Sequence, residues 1–530
     1  MWQDIRFAFR MIKKNPILSV VAILTIALGI GANTAIFSVV NSVLIQPLPY
    51  LDSDRLFTIH EFAPNGEDQS IWITRDRYQA WQKESQSFNG LAALHPTGFN
   101  VLIGKGTQRV QGARVSPEFF SLLGVSPLHG RLFTAQDSDR EQQIAVLDYY
   151  FWQNNFGSDP GLIGQSITID NRVYLVTGIL PKTFDYHYHQ DVWIPLHYTK
   201  EELQTPGERS LHILALLRRN VTPQQAQAEL STISINIQKL ESAGSDRKQP
   251  KLVPLQEDVV GNVRHSLVVF QIAVGFVLLI VCVNMTNLIL AQSSTREREI
   301  WVRLALGAGR ARLSRQFIIE TLLLSIAGGT LGVTIFAWTR KILLTSSSIY
   351  LPFTATDGSD FYVLAFAGLI SIITGLLIGM IPATHLTRTL FGQGLNTGMR
   401  SSANRASGML RAALVIAEVA LSVILLIGAG LMIKSFWLLQ QVNPGFDPNH
   451  ILKLRIALPE TRYSDSEKRL IYYRESIERL KALPGVESAA MINWLPLSRI
   501  SNTVKLTFPG ENPSLHSQEA DIHVITPEYF

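Results

Sequence analysis

The 530-residue sequence predicts membrane-spanning α-helices plus an α/β (α+β) extracytoplasmic domain inserted between the first and second spans. Three observations predict it. Five segments stay apolar long enough to cross a bilayer, which takes about 20 residues at a rise of about 1.5 Å each. Between the first two lie 220 residues, Gln46 to His265, with the mixed texture of a folded domain. Short loops rich in arginine join other spans, and such loops stay on the cytoplasmic side. Composition agrees, with 47% hydrophobic residues and a mean hydropathy of +0.16. The net charge of +5 is accounted for by those loops and gives no ground for a nucleic-acid partner.

Residues 1–16 read as an amphipathic helix at the cytoplasmic face, with Trp2, Ile5, Phe9 and Ile12 against Arg6, Arg10, Lys13 and Lys14. The first span, 17–45, carries no charge, and the basic residues before it place the N-terminus inside. It is too long for the core of a cleaved secretory signal, so it is expected to stay.

Residues 46–265 must fold on an ordinary core, because the single cysteine, Cys282, lies in the second span and leaves no disulfide. Ser166 to Leu180 reads as a hairpin, with Ile167 and Ile169 before an Asp170-Asn171 turn and Val173 and Leu175 after it. Val221 to Ser242 reads as a helix capped by Thr222, with Pro223 in its first turn and a seam of Ala226, Leu230, Ile233, Ile237 and Leu240. The domain is therefore expected to be built of βα units, with a β-rich insertion over about residues 123–198.

Residues 266–390 hold three further spans, 267–290, 322–338 and 361–381. The run Ser294 to Gln316 between the first two of these reads as a helical hairpin tip in the cytoplasm. Residues 391–412 form a basic cytoplasmic linker, 414–433 a fifth span, and 434–530 the start of a second outer domain. That last assignment rests on a repeat: Arg114-Val115-Ser116-Pro117-Glu118-Phe119-Phe120 recurs as Val524-Ile525-Thr526-Pro527-Glu528-Tyr529-Phe530. Ser464 to Leu483 offers another capped helix, with Leu470, Tyr473, Ile477 and Leu480 in register. The first copy runs about 145 residues beyond its motif before the next span, so the second reads as truncated at Phe530 with three spans to follow.

In this order the residues resemble permeases of the MacB and FtsX class of ABC transporters, in the duplicated form. The carriers are Leu28-Gly29-Ile30-Gly31-Ala32-Asn33-Thr34-Ala35-Ile36-Phe37, Phe156-Gly157 with Gly161-Leu162-Ile163-Gly164, Val176-Thr177-Gly178-Ile179-Leu180-Pro181, Val221 to Ala226, and Arg303-Leu304-Ala305-Leu306-Gly307-Ala308-Gly309-Arg310. The resemblance implies a MacB-like core domain and an FtsX-like bundle in a multi-pass protein of the bacterial inner membrane. It also implies a separate ABC ATPase subunit on the cytoplasmic face, an export function, and a periplasmic adaptor or envelope partner. By match, the ATPase-coupling loop comprises Arg296, Glu299, Ile300, Arg303, Leu306, Gly307, Ala308, Arg310, Arg312 and Arg315. The residue types suit that role: Leu304, Leu306 and Ala308 offer a small apolar surface, and arginines offer charge-assisted hydrogen bonds. The competing reading is that Arg312 and Arg315 anchor the span at lipid headgroups.

No Gly-x-x-x-x-Gly-Lys-Ser/Thr loop occurs in the sequence, so ATP is expected on the partner, with no cofactor and no catalysis here. Gly29-Ile30-Gly31 lies in a span and reads as close helix packing. His187 and His189, with Asp185 or Asp191, could ligate a metal but read first as a solvated loop. Glu320 is near an interface, within reach of water or Arg315. Glu418 is about one turn into its span, and Asn284 and Asn287 are expected to bond a neighbouring helix. A membrane scaffold that controls an envelope partner without transport is the alternative reading. An outer-face enzyme is disfavoured, because no nucleophile and base can be placed together.

Overall fold

The computed structural model describes residues 2–62, 69–70, 72–104, 106–134, 136–137, 142–186, 190–198, 209–240, 248–295, 310–346, 360–392, 400–442, 450–454, 456, 458, 463, 465–493, 495, 502–506 and 518–529. Helix α1 (Trp2–Lys14) leads into α2 (Pro16–Val40), which ends in a π turn over Asn41–Ile45. Pro16 fits the first turn, where a backbone N–H has no helical partner to lose. The chain then forms β1 (Leu56–Phe62), β2 (Gln69–Ser70), β3 (Ile73–Thr74), α3 (Arg75–Glu84), β4 (Phe88–Ile103), β5 (Gly106–Val115) and α4 (Phe119–Leu122). Next come β6 (His129–Gly130), β7 (Ile144–Leu147), α5 (Tyr149–Phe156), β8 (Ser166–Ile169), β9 (Arg172–Ile179), β10 (Val192–Pro195), β11 (Arg209–Leu217), α6 (Pro223–Leu240) and β12 (Gln249–Pro254). Four long helices follow, α7 (Leu255–Thr295), α8 (Arg310–Ser346), α9 (Asp360–Gly392) and α10 (Arg400–Gln441), then α11 (Ser466–Lys481), β13 (Asn502–Leu506) and β14 (Gln518–Ile522).

Two compact units divide the chain: 1–97, 111–164 and 176–432 form the first, and 98–110, 165–175 and 433–530 the second. In the first, strands run in the order β12-β1-β11-β4-β5-β10-β7-β9-β6. The pairs β1–β12, β1–β11, β4–β11, β7–β10 and β6–β9 are antiparallel, and β5–β10 is parallel. Successive side chains of a strand point to opposite faces, so one strand feeds two cores. Ala92 and Leu94 of β4 join Phe119, Phe120, Tyr186 and Trp193 in one core. Leu91 and Ala93 join Trp81, Leu211, Ala226 and Leu230 in the other.

Local chemistry fixes the covering helices. In α6, Thr222 Oγ1 accepts from Gln225 N–H at 3.3 Å while Gln225 Oε1 accepts from Thr222 N–H at 2.9 Å, a reciprocal cap of the kind the sequence predicts. Ala226, Leu230 and Ile233 of the predicted seam are buried. Glu61 of β1 and Arg77 of α3 form a wholly buried ion pair, and Arg77 also donates to the Lys248 carbonyl at 3.2 Å. A nearer-surface pair closes the loop after β6. Arg131 donates to both carboxylate oxygens of Asp137, at 2.6 and 2.8 Å, and Thr134 adds its N–H and hydroxyl. These donors, the Arg131 guanidinium foremost, pull the Asp137 carboxyl down to about 2.

Five helical stretches are long and apolar enough to cross a membrane: Pro16–Ile45, Val263–Gln292, Ala311–Lys341, Phe361–Ala383 and Arg411–Gln441. The bundle of α2, α7, α8 and α9 closes on small residues. A Cβ on Gly332 of α8 would lie 2.6 Å from the Ala27 carbonyl oxygen, and one on Gly31 of α2 would lie 3.2 Å from that of Gly332. Gly31 therefore packs helix against helix, as its place in a span predicts. Hydrogen bonds cross between helices from Asn33 to the Val274 carbonyl at 2.8 Å, Thr321 to Gly375 at 2.8 Å and Ser325 to Ser371 at 2.6 Å. Asn287, expected to make such a bond, leaves its buried Oδ1 without a partner, and Asn33 of α2 makes one instead. Helical spacing alone does not say which polar side chain meets a neighbour's carbonyl.

In the second unit, the predicted hairpin is β8–β9, with Asp170 at φ 47° and Asn171 at φ 63°. Two consecutive left-handed residues make the turn whose twist matches a two-residue hairpin. Asp170 Oδ1 accepts from the Asn100 backbone and side-chain N–H groups at 3.0 and 2.8 Å, and Val101 faces Ile169. Ile167 and Ile169 are buried, but Val173 and Leu175 are exposed, so the apolar alternation does not mark one buried face. Helix α11 is capped by Asp465, whose Oδ1 accepts from Glu467 N–H at 3.0 Å, one residue later than the predicted start. Of its expected seam only Ile477 is buried, and Leu470 is exposed.

The repeated motif has the same backbone frame in both copies. Ser116 N–H donates to Ala93 O at 2.9 Å, Ala93 N–H to Ser116 Oγ at 3.0 Å, and Phe119 N–H to Ser116 O at 3.1 Å. Thr526 N–H donates to Met491 O at 3.0 Å, Met491 N–H to Thr526 Oγ1 at 3.0 Å, and Tyr529 N–H to Thr526 O at 3.1 Å. Ile492 pairs with Ile525 beside it.

Candidate functional site

Within the first unit, one element runs from the sheet into the bundle: α7, one unbroken helix of 41 residues. At about 1.5 Å per residue it is about 60 Å long, twice the thickness of a bilayer's hydrocarbon core. No proline interrupts its sequence, so nothing in it demands a kink.

Its first turns are tied to the sheet and to α2. Leu255 is buried in the first core. Gln256 Nε2 donates to the carbonyls of Leu44 and Gln46, both at 3.2 Å, which holds α7 to the turn that ends the first span. Asp258 Oδ1 lies 2.8 Å from His60 Nε2 of β1, and the His60 side chain is only 6% exposed. These contacts join positions about two hundred residues apart, so no local pattern in the sequence announces them.

Its last residues lead into the arginine-rich loop. Arg296, Glu299, Ile300, Arg303, Leu306, Gly307 and Ala308 lie outside the described residues, as do His187 and His189. Arg310, Arg312 and Arg315 fall on the first turns of α8, which has no acidic residue there. Cations at a helix N-terminus oppose the macrodipole, so helix stability does not account for them. Arg312 is exposed. Arg315 reaches Asp4 of α1 at 2.9 Å, and so ties the amphipathic helix to α8. Arg411 of α10 donates to the Leu290 carbonyl of α7 at 3.0 Å. Asp4 and Arg411 thus belong to this region, although the sequence reading gave neither a role in it.

Chemically, the arrangement offers guanidinium groups beside an apolar helix end. Among the described residues no group of three or more histidine, cysteine or carboxylate side chains could hold a metal. An α/β domain set between the first and second of several apolar helices long enough to span a bilayer defines the class of a multi-pass membrane protein with a large folded insertion.

Comparison with known proteins narrows that class. Residues 19–233 match the MacB-like periplasmic core domain, and residues 272–390 match the FtsX-like permease C-terminal domain. The chain belongs to the MacB/FtsX-like class of ABC transporter permeases. The macrolide export ATP-binding/permease protein MacB of Burkholderia pseudomallei (strain 1710b) is 26% identical over 282 residues, covering 52% of this chain and 41% of that protein. The pyoverdine export ATP-binding/permease protein PvdT of Pseudomonas syringae pv. tomato is 27% identical over 263 residues, covering 49% and 38%. The chain thus spans about two fifths of the length of these relatives. Among solved structures, the periplasmic region of MacB from Actinobacillus actinomycetemcomitans is 13% identical, covers 42% of this chain and 97% of its own, and has a TM-score of 0.32.

Proposed function

We propose that this chain is the mechanotransmission subunit of an ABC-type export system in a bacterial inner membrane, with its N-terminus in the cytoplasm. A separate ATPase binds and hydrolyses ATP and docks on the loop between α7 and α8. There Arg296, Arg303, Arg310 and Arg312 bond partner carboxylates and carbonyls, Glu299 answers a basic group, and Ile300, Leu306, Gly307 and Ala308 meet an apolar groove of the partner. Arg315, through Asp4, carries the motion to α1. The α/β domain then moves substrate outside the membrane, a small molecule, peptide or lipid-like compound, toward a periplasmic adaptor or envelope partner.

The observation that most supports this reading is the continuity of α7. A helix of 41 residues, fixed to the sheet by His60–Asp258 and to the end of the first span by Gln256, can pass a displacement at one end to the other. The named export relatives support the same direction of transport.

Affinity purification from native membranes tests it, with an Arg303→Glu plus Arg310→Glu variant as control. Recovery of a nucleotide-binding subunit with the wild type and its loss with the variant is the expected result. Envelope proteins recovered equally with both, and no ATPase with either, would favour a scaffold that controls an envelope partner without transport.

A further inference from the structure

Helix α1 lies across one end of the bundle. As the first and third spans, α2 and α8 run in the same direction, and they touch where Gly31 meets Gly332. Pro16 comes 15 residues before Gly31 and Arg315 comes 17 before Gly332, so at about 1.5 Å per residue the two positions differ in depth by about 3 Å. Asp4, near one end of α1, pairs with Arg315. Lys14, at the other end, leads through Asn15 into Pro16, and Asn15 at φ −125° and ψ 69° lets the chain change direction there. Both ends of α1 therefore sit at the level where the spans begin, and the helix runs along the membrane surface.

At 3.6 residues per turn, the side chains of α1 fall into a fixed order around its axis. Asp4, Ala8 and Met11 are buried. Ile12 and Ile5, half-buried, come next, then Phe9 and Trp2, which are 54% and 79% exposed. Lys13, Arg6 and Arg10 follow, all exposed. The apolar arc thus extends outward from the buried stripe and ends at a row of cations, the pattern of a helix half-sunk in a lipid surface. Among the described residues no carboxylate pairs with Arg6, Arg10 or Lys13, and the single acid of α1, Asp4, is buried in its pair with Arg315.

We infer that this face of α1 is a binding surface for anionic phospholipids. Arg6, Arg10 and Lys13 hold the negatively charged heads, while Trp2 and Phe9 seat at the boundary with the acyl chains. Charge decides the occupant: a zwitterionic head offers three unpaired cations no net attraction, whereas each cation near an anionic surface is worth about fivefold in affinity. Through Asp4 and Arg315 the lipid-held helix is joined to the first turns of α8. The inference rests on the spans alone and stands whether or not an ATPase docks on the loop.

The test reads Trp2 by difference. The full chain and its Trp2→Phe variant are reconstituted in phosphatidylcholine vesicles with a minor fraction of phosphatidylglycerol, and bromine is carried on the acyl chains of an equal amount of one lipid or the other. Fluorescence quenched in the wild type but absent from the variant reports lipid beside Trp2. Phosphatidylglycerol is expected at about five times or more its bulk share there, falling toward that share as salt screens the cations. Arg6→Gln, Arg10→Gln and Lys13→Gln together should bring the two lipids to parity while Trp2 is still quenched by both. Circular dichroism and elution volume establish that each variant is folded. Parity in the wild type, or a preference that survives the triple substitution or high salt, would overturn the surface. So would a Trp2 quenched by neither lipid, which would leave this face of α1 to an acidic protein partner.

Discussion

The two copies of the repeated motif make the same three hydrogen bonds and end in opposite environments. Phe119 is wholly buried, stacked on Trp193 at 5.7 Å and edge-on to Tyr186 at 5.1 Å. Tyr529, its counterpart, is half-buried. The spans repeat the contrast. Leu28-Gly29-Ile30-Gly31 has a likeness in Ile427-Gly428-Ala429-Gly430, but a Cβ on Gly29 or Gly31 would press on α7 or α8, while one on Gly428 or Gly430 would meet nothing within 4 Å. In both copies the motif's hydroxyl accepts from the backbone of an earlier segment, at Ala93 and at Met491. What then packs on that frame depends on chain brought in from elsewhere.

Substitutions placed in both copies can break or sharpen this contrast. The largest gap is expected at the aromatic position. Phe119→Ala should cost about 3–5 kcal/mol, the range for emptying a packed aromatic site, and Tyr529→Ala under about 1 kcal/mol. Denaturant unfolding of the purified chain measures both, and equal costs would mean that the second copy is packed like the first. Gly332→Leu should cost about 1–3 kcal/mol, because the added side chain overlaps backbone of α2. Gly430→Leu should leave the melting temperature in detergent unchanged. At the hydroxyl, Ser116→Ala leaves the buried Ala93 N–H without its side-chain acceptor and should cost about 1–2 kcal/mol. Thr526→Ala should cost less, because its surroundings admit water.

The smallest difference concerns acid. Asp137 in the first copy is held at about 2, well below the 3.8 of an ordinary aspartate. Its contribution is present in full above the unfolded value and lost as pH falls from about 4 toward about 2. Asp137→Asn should remove that step from the pH profile of stability. Glu528 in the second copy is also lowered, chiefly by its own backbone N–H and then by Lys481 at 3.3 Å. This exposed pair should give no resolvable step, and Lys481→Ala should leave the denaturant midpoint of the purified chain unchanged.

Features set by neighbours in sequence were legible without the structure. The cap of α6 needs only Thr222 and Gln225, three residues apart. The β8–β9 turn needs only Asp170 and Asn171. The spans need only length and apolarity. Tertiary questions were not legible. The hairpin pattern did not say which of its faces is buried, and Val173 and Leu175 are exposed; Asn287, expected to bond a neighbouring helix, lacks a partner at Oδ1. The loop proposed to couple to an ATPase is legible as residue types and family likeness, and seven of its ten predicted residues lie outside the described part of the chain.

By itself, then, the sequence determined the spans, the inserted α/β domain, the repeat and the class of permease, all of which follow from composition, spacing and motif order along the chain. Only the tertiary structure decided that α7 is tied to β1 through His60 and Asp258, that Arg315 is tied to α1 through Asp4, and that Arg411 of α10 bonds the Leu290 carbonyl of α7. The physical reason is distance along the chain. Apolarity and capping act within a few turns, where the order of residues states the partners, whereas an ion pair or hydrogen bond between distant segments forms only where the packing of the whole unit brings them together.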